Sequence, residues 1–219
     1  MQSTLSSWMR GAAVSAGVAL AVAMAPGAAR AGVVSETVNV GSTPTNWSNT
    51  LSFLGFDALA PGNVLNSVTV ALTETLSGSI NVTNTSSNSQ TGSASLQNTA
   101  NLTVATLVQV VNAQSTGTLV LAGSSSSGVI PLSGSNTNSL TYTGSSLSYF
   151  LSAYTGAASD TGASLLSFGG NATATYVDNG ALSVLVTYNY SPAPVPEPTS
   201  IALLGFGLLG LGMIRFKRA

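Results

Sequence analysis

The segment 182–190 reads Leu-Ser-Val-Leu-Val-Thr-Tyr-Asn-Tyr, and its side chains alternate between apolar and polar. One face carries Leu182, Val184, Val186, Tyr188 and Tyr190, and the opposite face carries Ser183, Thr187 and Asn189. Alternation with period two, rich in β-branched and aromatic residues, is typical of a half-buried β-strand. The segment therefore predicts a strand with one face in a core.

The same alternation recurs at 68–73 and at 79–83. Further candidate strands are Val34–Val40, Thr50–Phe56, Asn101–Val111, Thr118–Ala122 and Leu140–Thr143. We place turns at Leu76-Ser77-Gly78 and at Asp178-Asn179-Gly180, because the second triplet has the residues that a type I′ hairpin prefers. Helical spacing occurs only around Leu147 to Tyr154, which predicts one short helical turn.

Many short strands without strand–helix alternation predict an all-β fold, an antiparallel and jelly-roll-like β-sandwich. The sandwich domain is expected to occupy residues 32–190. The low-complexity runs 84–95 and 123–128 are interpreted as its loops. Residues 191–196 contain three prolines and form a stiff spacer after the domain.

Charge is nearly absent from the body of the chain. The 219 residues include 5 Lys+Arg, 6 Asp+Glu, no His and no Cys, and residues 32–214 contain no basic side chain. This composition excludes nucleic-acid binding, disulfides, zinc thiolate sites and His-dependent catalysis. The mature domain would carry only negative charge, so we expect salt to promote its self-association by screening repulsion.

Residues 1–31 have the pattern of a secretory signal peptide. Arg10 precedes an apolar stretch at 11–25, which is shorter than the ~20 residues that cross a bilayer. Ala29 and Ala31 are the small residues that a signal peptidase reads. We expect cleavage after Ala31, which would make Gly32 the mature N-terminus; a retained N-terminal anchor is the alternative.

A second apolar block, Ile201–Ile214, precedes the basic residues Arg215, Lys217 and Arg218. A helix over Pro198–Ile214 would extend ~25 Å, slightly less than a ~30 Å hydrocarbon core. The sequence thus predicts a single transmembrane helix, and the positive-inside bias would hold its basic end in the cytoplasm. An ordinary single-span anchor is one interpretation of this block.

A more specific interpretation comes from Pro196, Glu197 and Pro198, directly before the apolar block. The Pro-Glu-Pro motif, the short Gly/Leu-rich segment and the basic end, over residues 195–219, resemble a PEP-CTERM sorting signal. The resemblance implies a Gram-negative source and an exosortase-type membrane protease as partner. It also implies a transient inner-membrane anchor, release to the cell surface or exterior, and an association with exopolysaccharide and biofilm.

The same block contains a dinucleotide-binding glycine pattern at 205–210, Gly-Phe-Gly-Leu-Leu-Gly. That fingerprint requires a preceding strand and a later acidic ribose partner, and the sequence supplies neither. We therefore predict no cofactor.

The run 56–70 contains Phe56-Asp57, a Pro-Gly turn and the strand start Ser67-Val68-Thr69. It resembles the opening of a choice-of-anchor E domain, and the resemblance extends over about Val34–Tyr190. It implies a surface-destined β domain that has no assigned activity.

The body of the chain offers few groups for acid–base chemistry or metal binding. Its carboxylates are Glu36, Asp57, Glu74, Asp160 and Asp178. A glycosidase needs two of them face to face, and none are close in sequence. Asp178 is accounted for by the predicted turn. No Asp-x-Asp-x-Asp calcium loop occurs, so we predict neither a catalytic nor a metal site, with calcium as the minor alternative.

Two further surface hypotheses remain. Thr-x-Thr triplets begin at Thr73, Thr83, Thr141 and Thr173, but they lack the fixed period of an ice-binding array. The aromatic residues Trp47, Tyr142, Tyr149, Tyr154 and Tyr188 could stack on sugar rings, although such residues commonly fill a core.

These observations predict a non-enzymatic, exported structural or adhesive protein of the cell surface or extracellular matrix. A carbohydrate-binding module that recognises exopolysaccharide is the alternative, and a hydrolase is a more distant one. The expected partners are the exosortase-type protease, the membrane before processing, and exopolysaccharide, with no nucleic acid.

Overall fold

The alternating segments form eight β-strands within residues 31–193, the part of the chain that the computed structural model describes. The strands are β1 (Gly32–Pro44), β2 (Trp47–Phe53), β3 (Val64–Asn84), β4 (Gln90–Val104), β5 (Leu107–Leu121), β6 (Ile130–Tyr142), β7 (Tyr154–Phe168) and β8 (Ala172–Ser191). A short helix, α1 (Phe56–Leu59), follows β2, and a 3-10 helix (Gly144–Phe150) precedes β7.

The strands form two four-stranded antiparallel sheets. Sheet A has the order β1-β8-β3-β6, and sheet B has the order β2-β7-β4-β5. Every connection passes from one sheet to the other except the β4–β5 hairpin. The expected antiparallel β-sandwich is confirmed, and eight strands in two such sheets fit the jelly-roll-like arrangement.

The two triplets predicted as turns lie inside strands instead. Leu76 pairs with Gly180, and Gly78 pairs with Asp178, because β3 and β8 form one uninterrupted ladder through both triplets. A ladder of this length satisfies the backbone groups of both segments, which outweighs their local preference for a turn. Glycine inside a strand often marks a close approach by another group, and Gly180 has this role.

A turn that the sequence did not reveal divides the predicted strand Asn101–Val111. Ala105 adopts a φ of 51° in the two-residue connection between β4 and β5. Such hairpin turns usually contain Gly or Asn, and this one has neither. The predicted loop at 84–95 is also too long, because β4 begins at Gln90. The loop at 123–128 is confirmed.

The helical predictions are mixed. The expected single helical turn is confirmed as the 3-10 helix, although Tyr154 belongs to β7. Helix α1 was not expected, and it takes Phe56 out of the predicted strand. In residues 31–193, neither helix reaches the length and apolarity that crossing a membrane requires.

Between the sheets, the apolar interior consists of two separate clusters. The larger cluster includes Leu72, Ala100, Ala158 and Leu182, and the smaller one includes Leu76, Leu96 and Ile80. Each of the four central strands passes from one cluster to the other. The residues at those crossing points are polar or glycine, and they form the layer described below.

Side-chain amides connect the two sheets along one edge of the sandwich. The Gln109 Nε2 group on β5 donates to the Asn138 carbonyl of β6 at 2.6 Å and to the Val70 carbonyl at 3.1 Å. In return, Asn138 Nδ2 donates to the Val110 carbonyl at 2.8 Å. The bonds to the Asn138 and Val110 carbonyls pair backbone groups that the edge strands β6 and β5 would otherwise leave open.

Candidate functional site

A polar layer lies between the two apolar clusters, and we call it the acidic layer. Glu74 of β3 and Asp178 of β8 enter it from sheet A, and Asn98 of β4 and Asp160 of β7 enter it from sheet B. The Glu74 and Asn98 side chains are 0% exposed and Asp160 is 1% exposed, while Asp178 is half-buried. Strand alternation directs these side chains inward, because each stands at a core-facing position of its strand.

Because Gly180 has no side chain, it leaves room for the carboxyl groups of the acidic layer. A methyl group on Gly180 would collide with Asp160 Oδ2 and would lie 2.8 Å from Glu74 Oε1. The two carboxyl groups from opposite sheets therefore face the same glycine. A Cβ atom on Gly162 would lie 2.6 Å from Asp178 Oδ2, so a second glycine makes room for the third carboxyl group.

Burial without a cationic partner raises the pKa of each carboxyl group in the acidic layer. Desolvation, with the charges of Asp160 and Asp178 adding to it, raises the pKa of Glu74 to about 8, and the neighbouring Asn98 amide opposes the shift. Desolvation and the Asp178 charge raise the pKa of Asp160 to about 6. Burial also raises the pKa of Asp178. At neutral pH the layer retains protons that exposed carboxyl groups would release.

The acidic layer is the feature that the sequence analysis missed. None of its carboxylates are close in sequence, and Asp178 was assigned to a turn that does not exist. A signal was nevertheless present in Leu72-Thr73-Glu74-Thr75-Leu76, where an acidic residue occupies a core-facing position in the alternation. Ala158-Ser159-Asp160 repeats this pattern on β7.

The other two acidic residues have different environments. Glu36 is buried and accepts hydrogen bonds from the Tyr188 hydroxyl at 2.5 Å and from the Leu54 backbone N–H at 2.9 Å. Burial, and then the neighbouring Tyr154 and Glu36, raise the pKa of the Tyr188 hydroxyl far above its ordinary value, so Tyr188 stays a donor. Asp57 is exposed in the first turn of α1.

This distribution changes the expectation about self-association. Of the five acidic residues between 31 and 193, only Asp57 is exposed; Asp178 is half-buried, and Glu36, Glu74 and Asp160 are buried. Repulsion between copies is weak when so little charge reaches the surface. Salt screening therefore has little surface charge to act upon.

The outer face of sheet A carries rows of hydroxyl groups, and we call it the hydroxyl face. Strand register aligns one row as Ser35–Thr187–Thr69–Thr141 and another as Asn39–Ser183–Thr73–Thr137. The row between them is Thr37–Leu185–Ala71–Ser139. Hydrogen bonds join Thr69 to Thr141 at 3.0 Å and Thr73 to Thr137 at 2.8 Å. Thr73 and Thr141, which begin two of the Thr-x-Thr triplets, are therefore aligned with threonines on the neighbouring strand. The sequence does not reveal this alignment, because the triplets have no fixed period.

Most of the aromatic residues proposed to stack on sugar rings pack in or against the core instead. Tyr188 is 0% exposed, and Tyr154 stacks on Phe53 with ring centroids 4.7 Å apart. Tyr142 packs against Phe150 at 5.4 Å, and Trp47 lies against the larger apolar cluster. Tyr149 is 39% exposed and is the member of the set most available to a ligand.

Most of the predicted sorting residues lie outside the described residues. These are Ala29 of the expected cleavage site, the Pro196-Glu197-Pro198 motif, the apolar block, and Arg215, Lys217 and Arg218. Ala31 and Gly32 are described, and β1 begins at Gly32, which pairs with Tyr190. Cleavage after Ala31 stays a prediction.

Comparison with known proteins bears mainly on the C-terminal part of the sequence. Residues 194–218 match the PEP-CTERM protein-sorting motif. The motif supports export and sorting by an exosortase, a membrane protease, with a transient membrane anchor. No curated protein matches this chain.

Some solved structures of infectious bursal disease virus are weakly similar. A chain of its T13 particle is 13% identical, with a TM-score of 0.20, and the match covers 75% of this chain and 40% of that chain. A chain of the VP2 subviral particle is 12% identical, with a TM-score of 0.17, covering 76% of this chain and 38% of that chain. This chain thus spans less than half the length of either, and likeness at this level carries no argument.

Proposed function

We propose that this protein is a non-enzymatic structural or adhesive component of the extracellular matrix, which contacts exopolysaccharide through the hydroxyl face of sheet A. The sorting motif supports delivery to the cell surface. The observation that carries the proposal is the register of the Ser, Thr and Asn rows across β1, β8, β3 and β6. We also propose that residues 34–190 form a choice-of-anchor E-like domain, on the resemblance of the run 56–70.

The chemistry of the hydroxyl face suits a hydroxylated polymer. Each Ser or Thr hydroxyl donates one hydrogen bond and accepts others, as the hydroxyl groups of a polysaccharide do. Neighbouring members of a row lie on adjacent strands ~4.8 Å apart, so the face presents many such groups together. Leu185 and Ala71 lie at the centre of the face and offer apolar surface to the C–H groups of a sugar ring. Contacts of this kind are individually weak, which suits adhesion spread over a long chain.

The burial of the carboxyl groups supports a non-enzymatic role over a hydrolase. Glycoside hydrolysis requires two carboxyl groups that flank a substrate bond. Glu74 and Asp160 face one another, but their side chains are 0% and 1% exposed, so a polymer at the surface does not reach them.

Binding to exopolysaccharide from the producing cells tests the proposal. The double variant Thr69→Val/Thr141→Val removes both members of one hydrogen-bonded pair and leaves no unpaired hydroxyl between them. We expect co-sedimentation with the polymer to weaken by roughly threefold to tenfold. The matched control is Thr116→Val/Thr118→Val on the outer side of β5, where both residues are exposed.

The same assay separates the alternatives. Equal binding by both double variants, or no binding by the unaltered protein, would contradict the hydroxyl-face proposal. Loss of binding in Tyr149→Ala with the Thr variants unaffected would instead favour a carbohydrate-binding module that stacks an aromatic ring on the sugar.

A further inference from the structure

The acidic layer contains six buried oxygen atoms that find no hydrogen-bond partner in the described part of the chain. They are both carboxylate oxygens of Glu74, both of Asp160, Asn98 Oδ1 and Asp178 Oδ1. Buried polar atoms are normally hydrogen-bonded, and buried charges are normally paired. A cluster of this size therefore indicates a binding partner beyond the side chains present.

The protein cannot supply a cation of its own here. Residues 32–214 contain no Lys, Arg or His, so an ion pair with a basic side chain is impossible within the domain. Taking one unpaired carboxylate out of water is already unfavourable by several kcal/mol, and this layer gathers three. Bound protons or a bound metal ion are the available forms of compensation.

Asn98 adds a buried, unpaired neutral oxygen to the acidic layer. Its side chain is 0% exposed, and its amide Nδ2 donates to the Asn179 carbonyl at 3.2 Å. This bond leaves Oδ1 as an acceptor without a donor. The Asn98 side chain also neighbours Glu74 and Asp178, where its amide stabilises the charged form of each carboxyl group. A bound cation would use this oxygen as a ligand, whereas a protonated carboxyl group would donate a hydrogen bond to it, and the response to calcium distinguishes the two.

We propose that Glu74, Asp160 and Asn98 form a calcium-binding site in the interior of the sandwich. Carboxylate and amide oxygens are the ligands of Ca²⁺, and the layer offers no nitrogen or sulfur ligand for a softer metal. Within residues 31–193, no three His, Cys, Asp or Glu side chains are grouped so that they could bind one metal ion. The proposed site therefore combines two carboxylates with one amide. Asp178 adds negative charge beside it.

The proposed ion would join the two sheets, since Glu74 belongs to sheet A and Asp160 and Asn98 belong to sheet B. Its affinity is expected in the range of extracellular modules, about 10⁻⁴–10⁻³ M. Such an affinity would make the domain more stable outside the cell, where the sorting motif directs it, than in a calcium-poor compartment. This inference is independent of the proposed hydroxyl face.

Thermal unfolding of the purified protein at about pH 8, in EDTA or in about 5 mM CaCl₂, tests the site. We expect CaCl₂ to raise the melting temperature by roughly 3–6 °C, with a smaller rise in MgCl₂. Equilibrium dialysis with radioactive calcium should find one ion per chain. Glu74→Gln and Asp160→Asn should lose both responses.

The matched control is Asp57→Asn, which removes an exposed carboxylate and should respond to calcium as the unaltered protein does. Glu74→Gln and Asp160→Asn should both fold in EDTA, because each removes a buried charge from the acidic layer. An unaltered protein with the same melting temperature in EDTA and in CaCl₂ would overturn the proposal. An equal calcium response in Glu74→Gln and Asp57→Asn would overturn it as well, because it would reveal non-specific binding.

Discussion

Glu74 and Asp160 extend from opposite sheets toward Gly180, and the two carboxyl groups face each other in the interior of the sandwich. They lie between the larger and the smaller apolar cluster and separate the two. Two like charges in this position oppose folding when both are ionised. The stability of the domain therefore depends on what neutralises them.

The pH dependence of stability without calcium follows from the raised pKa values. The folded-state pKa is about 8 for Glu74 and about 6 for Asp160, above their ordinary values of 4.5 and 3.8. The folded state thus holds protons that the unfolded state has released. We expect stability in EDTA to fall as pH rises from about 4.5 to about 8, by at most about 1.4 kcal/mol per pH unit for each group.

Urea unfolding in EDTA at about pH 5 and about pH 8 measures this fall. Glu74→Gln should flatten the curve, whereas the control Asp57→Asn should leave it unchanged. A stability that rises from the lower to the higher pH would contradict the assignment of raised pKa values.

Gly180 provides a steric test of the layer. Gly180→Ala places a methyl group against the Asp160 carboxylate, and we expect it to reduce the free energy of unfolding by about 1–3 kcal/mol. The matched control is Gly41→Ala on β1, because a Cβ atom there meets no atom within 4 Å. If the two variants are equally stable in urea unfolding, Gly180 does not make room for the carboxyl groups.

Tyr188 tests the second buried acid. Tyr188→Phe removes the hydroxyl that donates to Glu36 and that lies 3.2 Å from the Tyr154 hydroxyl. Glu36 would remain buried with the Leu54 N–H as donor, so we expect a loss of about 1.5–3 kcal/mol in chemical denaturation. Tyr149→Phe, at a 39% exposed position, should change stability by less than about 0.5 kcal/mol. Equal effects of the two changes would argue against the Glu36 bond.

Processing of the tail is tested in the cells that export the protein. Replacing Pro196, Glu197 and Pro198 with alanine alters the sorting motif within the matched residues 194–218. We expect a longer form to accumulate in the inner membrane, because the protease no longer recognises its site. Mass spectrometry of the unaltered surface protein should find no peptide ending at Arg218-Ala219. Recovery of that intact end would contradict processing by the protease, and the segment 201–214 would then be interpreted as an ordinary single-span anchor.

The sequence predicted the buried faces of the strands more reliably than it predicted the turns. Leu182, Val184, Val186 and Tyr188 are buried, as their alternation predicts, since a strand sends successive side chains to opposite faces. The turn predictions failed at Gly78 and Gly180, because turn propensity is local while the β3–β8 ladder joins distant segments. The hairpin at Ala105 was missed for the opposite reason: tertiary pairing imposes it on residues with weak turn preference.

By itself, the sequence determined the all-β class, the sorting motif and the exclusion of chemistry that needs His, Cys or a basic side chain. These properties follow from local period, a short linear motif and composition. Only the tertiary structure decided that Glu74, Asn98 and Asp160 share one buried layer, and that Thr69 and Thr141 stand side by side. Both arrangements depend on the register between strands that are distant in sequence. That register is set when the strands of each sheet pair and the two sheets pack together, and no single segment contains it.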